Sequence, residues 1–184
     1  SEHFATYMLR RGLVMQDGRR LEQVNDFTQL FDGPGRYWPD PDGLRLHVRP
    51  AGDVDPAETE FEVTGRSQGF APDREGLGYV RVAGLKFFGF GNGFPFMPQD
   101  GAISAARGHH WIVEGCTLEA AGGIGIEMGK RDPRTDHFEA PNAHVIRANT
   151  VRGCGICGIA GIAMTDSLIE DNLVEDCCWY DVEE

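Results

Sequence analysis

Four segments of the chain repeat one short pattern, and this repetition restricts the fold more than any other feature. Each copy holds a short run of β-branched and apolar residues, a turn and a second short run, with no room for a long amphipathic helix. The copies begin 31, 33 and 23 residues apart, a spacing typical of repeat architectures. Each copy therefore predicts one coil of a parallel β-helix, with loops taking up the longer steps. The copies are residues 82–87, 113–118, 146–151 and 169–174.

The alignment of these copies places equivalent residues of successive coils in columns, and the chemistry of each column tests the alignment. Neighbouring strands of a parallel sheet lie about 4.8 Å apart, so equivalent residues of successive coils stack on one another. Inward columns should be apolar, and outward charges should alternate in sign because like charges opposite each other destabilise a sheet. Asn149 and Asn172 stack at a turn, where an Asn side chain can bond the backbone. The other columns are Leu118, Val151 and Val174; Ile126, Ile159 and Val182; Glu114, Arg147 and Glu170; and Glu119, Arg152 and Glu175.

Residues 1–78 lack the repeat and predict antiparallel β structure that leads into the coil. We expect this region to cover the open N-terminal end of the coil as well, because an exposed sheet edge invites aggregation. The predicted fold is all-β, a parallel β-helix in residues 79–184 preceded by antiparallel β hairpins. The predicted N-terminal elements are a hairpin at Asp17-Gly18, a second at Asp42-Gly43, a short capped helical turn in residues 25–31 and a strand at residues 61–63.

The end of the sequence, residues 180–184, falls in the middle of a repeat. No polar cap of the kind that keeps solenoids soluble follows it. We expect further coils of a longer protein, or another chain, to cover this end, so the open C-terminal coil is a candidate surface for association.

Composition narrows the classes of partner. The formal charge of −12 argues against nucleic acid and anionic membranes, although a local cation or a bound metal would still allow an acidic polysaccharide. No apolar run approaches about 18 residues, so the sequence predicts no membrane span. The 25 glycines and 10 prolines are typical of many short strands joined by tight turns.

The five cysteines are interpreted as small buried residues of the coil. Cys154 and Cys177 fall in one column, so a disulfide between them is geometrically feasible. Cys154-Gly-Ile-Cys157 has the spacing of zinc and redox sites, but no second such pair and no nearby His completes a site. We assign neither a metal nor a disulfide to them.

Acidic residues in one outward column are the candidates for chemistry. The register aligns Glu127, Ala160 and Glu183, each directly after an inward apolar residue, so we expect the two acids to point outward about 10 Å apart at the backbone. Asp181 points out of the same face, and Ser104 is the equivalent residue one copy earlier. Glycoside hydrolysis needs one protonated and one ionised carboxyl group across the scissile bond. Glu127, Asp181 and Glu183 are the predicted catalytic residues; the alternative is that they are solvated surface acids.

Two loops and a histidine pair are candidates for contacts with a sugar. The aromatic residues of loop 89–99 offer platforms for a sugar face, and the histidines before Trp111 could transfer protons. Loop 129–142 concentrates polar groups, as ligand-facing loops do. The structural alternatives are packing for the aromatic and histidine residues and a solvated insertion for the polar loop. The predicted substrate-binding residues are Phe94, Phe96, His109, His110, Lys130, Arg131 and Asp136.

Several stretches resemble the right-handed parallel β-helix repeat proteins of the pectate-lyase-like superfamily. In particular they are similar to large bacterial carbohydrate-active enzymes, among them a glycoside hydrolase family with fucosidase and xylanase members. The likeness extends over most of the chain but only over the front part of such an enzyme. The stretches are GHHWIVEGCT (108–117), GIGIEMG (123–129), NTVRGCGICGI (149–159), LIEDNLVE (168–175), FAP (70–72) and PQDGAIS (98–104).

The resemblance implies a right-handed coil and a carbohydrate substrate. It also implies acids at the GIEMG stretch, where Glu127 lies, and at the Asp-Val-Glu stretch, where Asp181 and Glu183 lie. We therefore expect a glycoside hydrolase, or a fragment of one, that acts on plant or algal polysaccharide without a cofactor and is secreted or periplasmic.

Two other functions fit the same residues. A polysaccharide lyase or epimerase would use Ca²⁺ to neutralise a uronate and a basic residue as the base. Lys130, Arg131 and Arg134 are the candidates for that base. A non-catalytic module that binds polysaccharide, or has only a structural role, would leave the acids solvated.

Overall fold

The computed structural model describes residues 12–91, 100–129, 142–162 and 164–179, and the predicted all-β parallel β-helix is confirmed. No helix in these residues is long and apolar enough to cross a membrane. The strands are β1 (Val14–Gln16), β2 (Arg19–Arg20), β3 (Glu22–Gln23), β4 (Arg36–Pro39), β5 (Leu46–Arg49), β6 (Phe61–Val63), β7 (Leu77–Gly78), β8 (Arg81–Ala83), β9 (Lys86–Phe88), β10 (Gly101–Ser104), β11 (Gly108–His109), β12 (Ile112–Glu114), β13 (Thr117–Glu119), β14 (Ile124–Glu127), β15 (Val145–Arg147), β16 (Thr150–Arg152), β17 (Cys157–Ala160), β18 (Leu168–Glu170) and β19 (Leu173–Glu175).

In the part of the chain that the structure describes, three parallel sheets wind through four coils. Sheet I holds β10, β14 and β17, sheet II holds β8, β12, β15 and β18, and sheet III holds β9, β13, β16 and β19. Coil one contributes β8 to β10, coil two β12 to β14, coil three β15 to β17 and coil four β18 and β19. Val113 pairs with Val82 on one side and with Ile146 on the other, which is the register predicted from the repeats. Val182 of the predicted inward columns lies outside the described residues.

The inward columns form one apolar core. Val113, Leu118, Ile126, Ile146 and Val151 are each at most 1% exposed. They lie at equivalent positions of coils two and three, so each packs against its counterparts in the neighbouring coils. Burying such a side chain contributes about 1.5–3 kcal/mol, which makes these columns the main source of stability.

The outward columns hold ion pairs between coils, as their alternating charges predict. Glu114 lies between two cations, with Arg147 Nη2 at 2.6 Å and the guanidinium of Arg81 on its other side. Lys86 Nζ lies 2.9 Å from Glu119 Oε2. The two guanidinium groups hold the pKa of the Glu114 carboxyl below its usual value through hydrogen bonds.

The N-terminal region contains the predicted hairpins. Asp17 and Gly18, with φ of 48° and 73°, turn β1 into β2, and β6 pairs with the other edge of β1. A second antiparallel pair joins β4 and β5 across the turn at Gly43, while β3 pairs with β4 in parallel. The predicted capped turn is a 3-10 helix, Phe27–Asp32, with a capping box at Asp26.

The N-terminal region packs against the coil at several points. Parallel pairing with the coil begins at a bridge between Phe70 and Ile103 of β10 in coil one and continues where β7 pairs with β11. The Thr64 hydroxyl donates to the Gly89 carbonyl oxygen at 3.0 Å. The guanidinium of Arg20 lies 3.4 Å from the ring centre of Trp179, beyond β19. The β1–β2 hairpin therefore extends along the coil as far as coil four.

Candidate functional site

Glu127 is the best-positioned acid among the described residues. It ends β14 and aligns with Ser104 of coil one and Ala160 of coil three, as predicted. It is only 2% exposed, so the alternative that it is a solvated surface acid is wrong. A side chain at Gly101 would come within 2.7 Å of the Glu127 Cβ atom, so the glycine permits this close approach of the two strands.

The Glu127 carboxyl is held by a hydroxyl of the neighbouring coil. Ser104 Oγ donates to Glu127 Oε2 at 2.6 Å, and Ser104 itself is buried. A short hydrogen bond between a hydroxyl and a carboxylate is among the stronger kinds. The strand register therefore fixes the orientation of this carboxyl group before any ligand arrives.

Ser104 also borders a small polar cavity of about 50 Å³. Asp100 and Arg107 contribute charged groups to its wall, and Arg107 Nε lies 3.6 Å from Glu75 Oε1. A space of this size suits a few water molecules rather than a sugar ring. Ser104 thus both bonds the Glu127 carboxyl and lines a polar cavity. The cavity is lined by Gln68, Ala71, Pro72, Asp100, Ser104, Ala106 and Arg107.

Most of the other predicted site residues lie outside the described part of the chain. Their roles remain predictions. They are the predicted catalytic residues Asp181 and Glu183 and the predicted substrate-binding residues Phe94, Phe96, Lys130, Arg131 and Asp136.

The half-buried His109 and His110 form an aromatic cluster with the exposed ring of Tyr79. Their Nδ1 atoms lie 2.9 Å apart. The Tyr79 ring stacks on His110 with centroids 4.8 Å apart and meets His109 edge-on at 5.3 Å. Tyr79 occupies the position of His110 one coil earlier, so the register of sheet II creates the stack. The cluster offers aromatic faces and ring nitrogens at one corner of the coil.

His144 was missed by the sequence analysis and lies at the same corner. It is fully buried, and the Trp111 backbone N–H donates to its Nδ1 at 3.2 Å. Its Nε2 has no hydrogen-bond partner within the described residues. Burial, with His110 and His109 nearby, lowers the pKa of His144 to about 4. The alignment of the repeats could have predicted the burial of His144, because it stacks His144 on Trp111, which is buried.

Neither the histidines nor the cysteines form a metal-binding group in the described residues. No set of three His, Cys, Asp or Glu side chains there could hold a metal ion. All five cysteines are free thiols. Burial raises the pKa of Cys154 and of Cys157, which keeps both protonated at neutral pH.

Comparison with known proteins supports the fold. No family model matches the chain, and no curated protein matches it. The chain is similar in structure to XylC, solved in complex with xylose, with a TM-score of 0.72 and 19% sequence identity. The match covers 91% of this chain but 35% of the XylC chain, so this chain spans about a third of that protein's length. At this identity the likeness shows the fold alone.

Proposed function

We propose that this chain belongs to a carbohydrate-active β-helix protein, a glycoside hydrolase acting on plant or algal polysaccharide. The observation that carries the proposal is the buried carboxyl of Glu127, oriented by Ser104 at 2.6 Å in a column of sheet I. Glycoside hydrolysis requires a carboxyl group that is held in position at the scissile bond as its general acid.

The second carboxyl group of the proposed reaction comes from Asp181 or Glu183. Hydrolysis with retention would require about 5–5.5 Å between the two carboxyl groups, and inversion about 6.5–9.5 Å. In either case Glu127 would protonate the leaving oxygen while its partner acts as nucleophile or activates water. His109 and His110 would contact the sugar at the adjoining corner of the coil.

The likeness to XylC suggests which substrates to test first. That protein was solved with xylose. Xylan and xylo-oligosaccharides are therefore the first substrates to test, followed by other plant and algal polysaccharides. The formal charge of −12 favours neutral chains over polyuronates.

Release of reducing sugar by the wild type and by Glu127→Gln tests the proposal. The variant keeps the size of the side chain but cannot supply a proton, so hydrolysis should fall at least about 100-fold. Glu170→Gln, an outward acid on β18, is the matched control and should retain activity. Equal activity of wild type and Glu127→Gln would contradict the assignment. Asp181→Asn and Glu183→Gln, measured in parallel, identify the second carboxyl group.

A non-catalytic polysaccharide-binding module is the second candidate. Such a module was expected to leave its acids solvated, but a buried Glu127 is also not open to a substrate. A carboxyl group that is 2% exposed needs a rearrangement before it touches a substrate. Binding without turnover, unchanged in Glu127→Gln, is the result expected of such a module. Calcium-dependent release of an ultraviolet-absorbing product would instead indicate a lyase, with Lys130, Arg131 or Arg134 as its base.

A further inference from the structure

A groove of about 650 Å³ lies between the β1–β2 hairpin and the coil. Its volume is within the range of about 300–1,000 Å³ that is typical of ligand sites. The groove is open along one side and touches residues from all four coils. Its lining residues are Met15, Gly18, Arg20, Phe88, Glu119, Ala120, Arg152, Gly153, Asp176, Cys177 and Trp179.

Small residues at one corner of the coil explain why the groove exists. Each follows a strand of sheet III, and the register stacks Gly89, Ala120 and Gly153, with Asp176 next in the column. All four have left-handed backbone, with φ between 52° and 72°. The short side chains leave a channel beside the hairpin. Four coils at about 4.8 Å give it a length of roughly 14 Å along the coil axis.

The groove wall offers both hydrogen-bond donors and acceptors. Arg152 belongs to the sheet III column and pairs with Glu175 of coil four. Glu119 is held by Lys86, whose Nζ lies 2.9 Å from Glu119 Oε2. These ion pairs between coils orient the side chains in advance, which reduces the entropy lost on binding.

The groove also carries aromatic surface and balanced charge. Phe88 is 38% exposed on the same wall, and Trp179 lies at the far end. Arg20 and Arg152 are balanced by Glu119 and Asp176, so the lining as a whole favours an uncharged ligand. Aromatic rings pack against the apolar faces of a sugar. Sugar hydroxyl groups both donate and accept hydrogen bonds, so they suit a wall that carries donors and acceptors.

We propose that this groove binds a neutral oligosaccharide lengthwise, parallel to the coil axis. The choice of a saccharide over other uncharged chains rests on the proposed function. The position of the site follows from the structure alone. The groove begins at the corner that precedes β14, whereas Glu127 lies at the end of that strand. It is therefore a second carbohydrate site, able to hold the polysaccharide chain while another segment reaches Glu127.

Calorimetric titration of the whole chain with xylohexaose tests the site. Ala120→Phe would fill the channel and should weaken binding at least about tenfold. Ala120 has left-handed backbone, with a φ of 56°, and already carries a side chain there. Ala148→Phe is the matched control, because Ala148 has a φ of 53° in an exposed turn between β15 and β16. It should bind as the wild type does. Thermal unfolding of both variants checks that they fold alike.

Phe88→Ala supplies a second, independent variant that removes the aromatic surface. Its control is Phe31→Ala, since Phe31 is 70% exposed on the 3-10 helix away from the groove. Weaker binding in Phe88→Ala but not in Phe31→Ala supports the proposal. Unchanged affinity in both Ala120→Phe and Phe88→Ala, or no binding of xylohexaose by the wild type, overturns it. Tighter binding of trigalacturonate than of xylohexaose overturns the assignment of a neutral ligand.

The same samples separate this proposal from the hydrolase proposal. Glu170→Gln should bind xylohexaose as the wild type does, because Glu170 lies on β18, outside both the groove and the Glu127 site. If no polysaccharide is hydrolysed but Ala120→Phe still weakens binding, the hydrolase proposal fails and the groove stands. If hydrolysis depends on Glu127 while Ala120→Phe binds normally, the groove proposal fails and the hydrolase stands.

Discussion

Glu127 and His144 are ionisable residues that are nevertheless buried. Ionisable residues are almost never fully buried without partners. Glu127 is buried against Ser104 of the coil before it, and His144 accepts a bond from Trp111 of the coil before it. In both cases the neighbouring coil supplies the partner, because strand register stacks equivalent positions.

The buried His144 should make stability fall in mild acid. Its pKa is about 4 in the folded protein, whereas an unfolded histidine titrates near 6.5. The unfolded state therefore takes up the proton first, so stability is lost as pH falls from about 6.5 to about 4. The free energy of unfolding should decrease by about 2–3 kcal/mol over this interval. Denaturant unfolding at several pH values measures it.

His144→Leu tests the cause of that decrease. The variant loses the acceptor for Trp111 N–H, but its unfolding free energy should change less between pH 6.5 and pH 4 than that of the wild type. His47→Gln is the control, since His47 bonds Asp40 in the N-terminal region. An unchanged pH dependence in His144→Leu would assign the effect to other groups.

At the scale of elements, the turn between sheets II and III is held by an asparagine ladder. Asn149 Oδ1 accepts from Cys116 N–H, and its Nδ2 donates to Val113 O, both at 2.9 Å. Asn172 repeats the arrangement one coil later, and its Oδ1 accepts from Asn149 Nδ2 at 2.9 Å. The side chains thereby satisfy backbone groups that a tight turn leaves unpaired.

Replacing the buried member of this ladder should cost more than replacing the half-buried one. Asn149→Ala leaves the Cys116 N–H without its acceptor and removes the amide donor to the Val113 carbonyl oxygen, so the free energy of unfolding should fall by about 2–4 kcal/mol. Asn172→Ala affects a more exposed turn and should cost less. Urea unfolding of the two variants compares them. Equal losses would show that burial does not set the strength of the ladder.

At the scale of the molecule, each coil is stabilised by its immediate neighbours. Ile146 and Val151 of coil three are fully buried, but their counterparts in coil four, Ile169 and Val174, are 51% and 43% exposed. In a solenoid, stability is close to a sum of contributions from each repeat and its interfaces. Within the described residues, coil four is therefore the least buried of the four coils.

Amide hydrogen exchange should show this inequality directly. Backbone amides of β12, β13, β15 and β16 should exchange slowest, and those of β18 and β19 faster, because local opening costs less where fewer apolar groups are buried. Exchange of the intact chain, followed by mass spectrometry of its peptides, measures the gradient. Uniform protection across the four coils would indicate a single cooperative unit instead.

Much of the fold could be predicted from the sequence. The copies that begin at Val82, Val113, Ile146 and Ile169 pair in the predicted register, and the Asn149–Asn172 stack follows from it. Asp17-Gly18 was recognised because a hairpin turn is a local choice of φ and ψ. The burial of Glu127 was not predicted, because its exposure depends on how closely neighbouring strands approach.

The sequence by itself determined the repeat, the inward apolar columns and the pairing of outward charges. These follow from the two-residue alternation of side chains along a strand and from the fixed spacing between coils. Both hold wherever the copies align. Only the tertiary structure decided that Glu127 and His144 are buried and that a groove separates the β1–β2 hairpin from the coil. Both outcomes depend on contacts between residues far apart in the chain, such as Arg20 with Trp179, and no local pattern specifies such contacts.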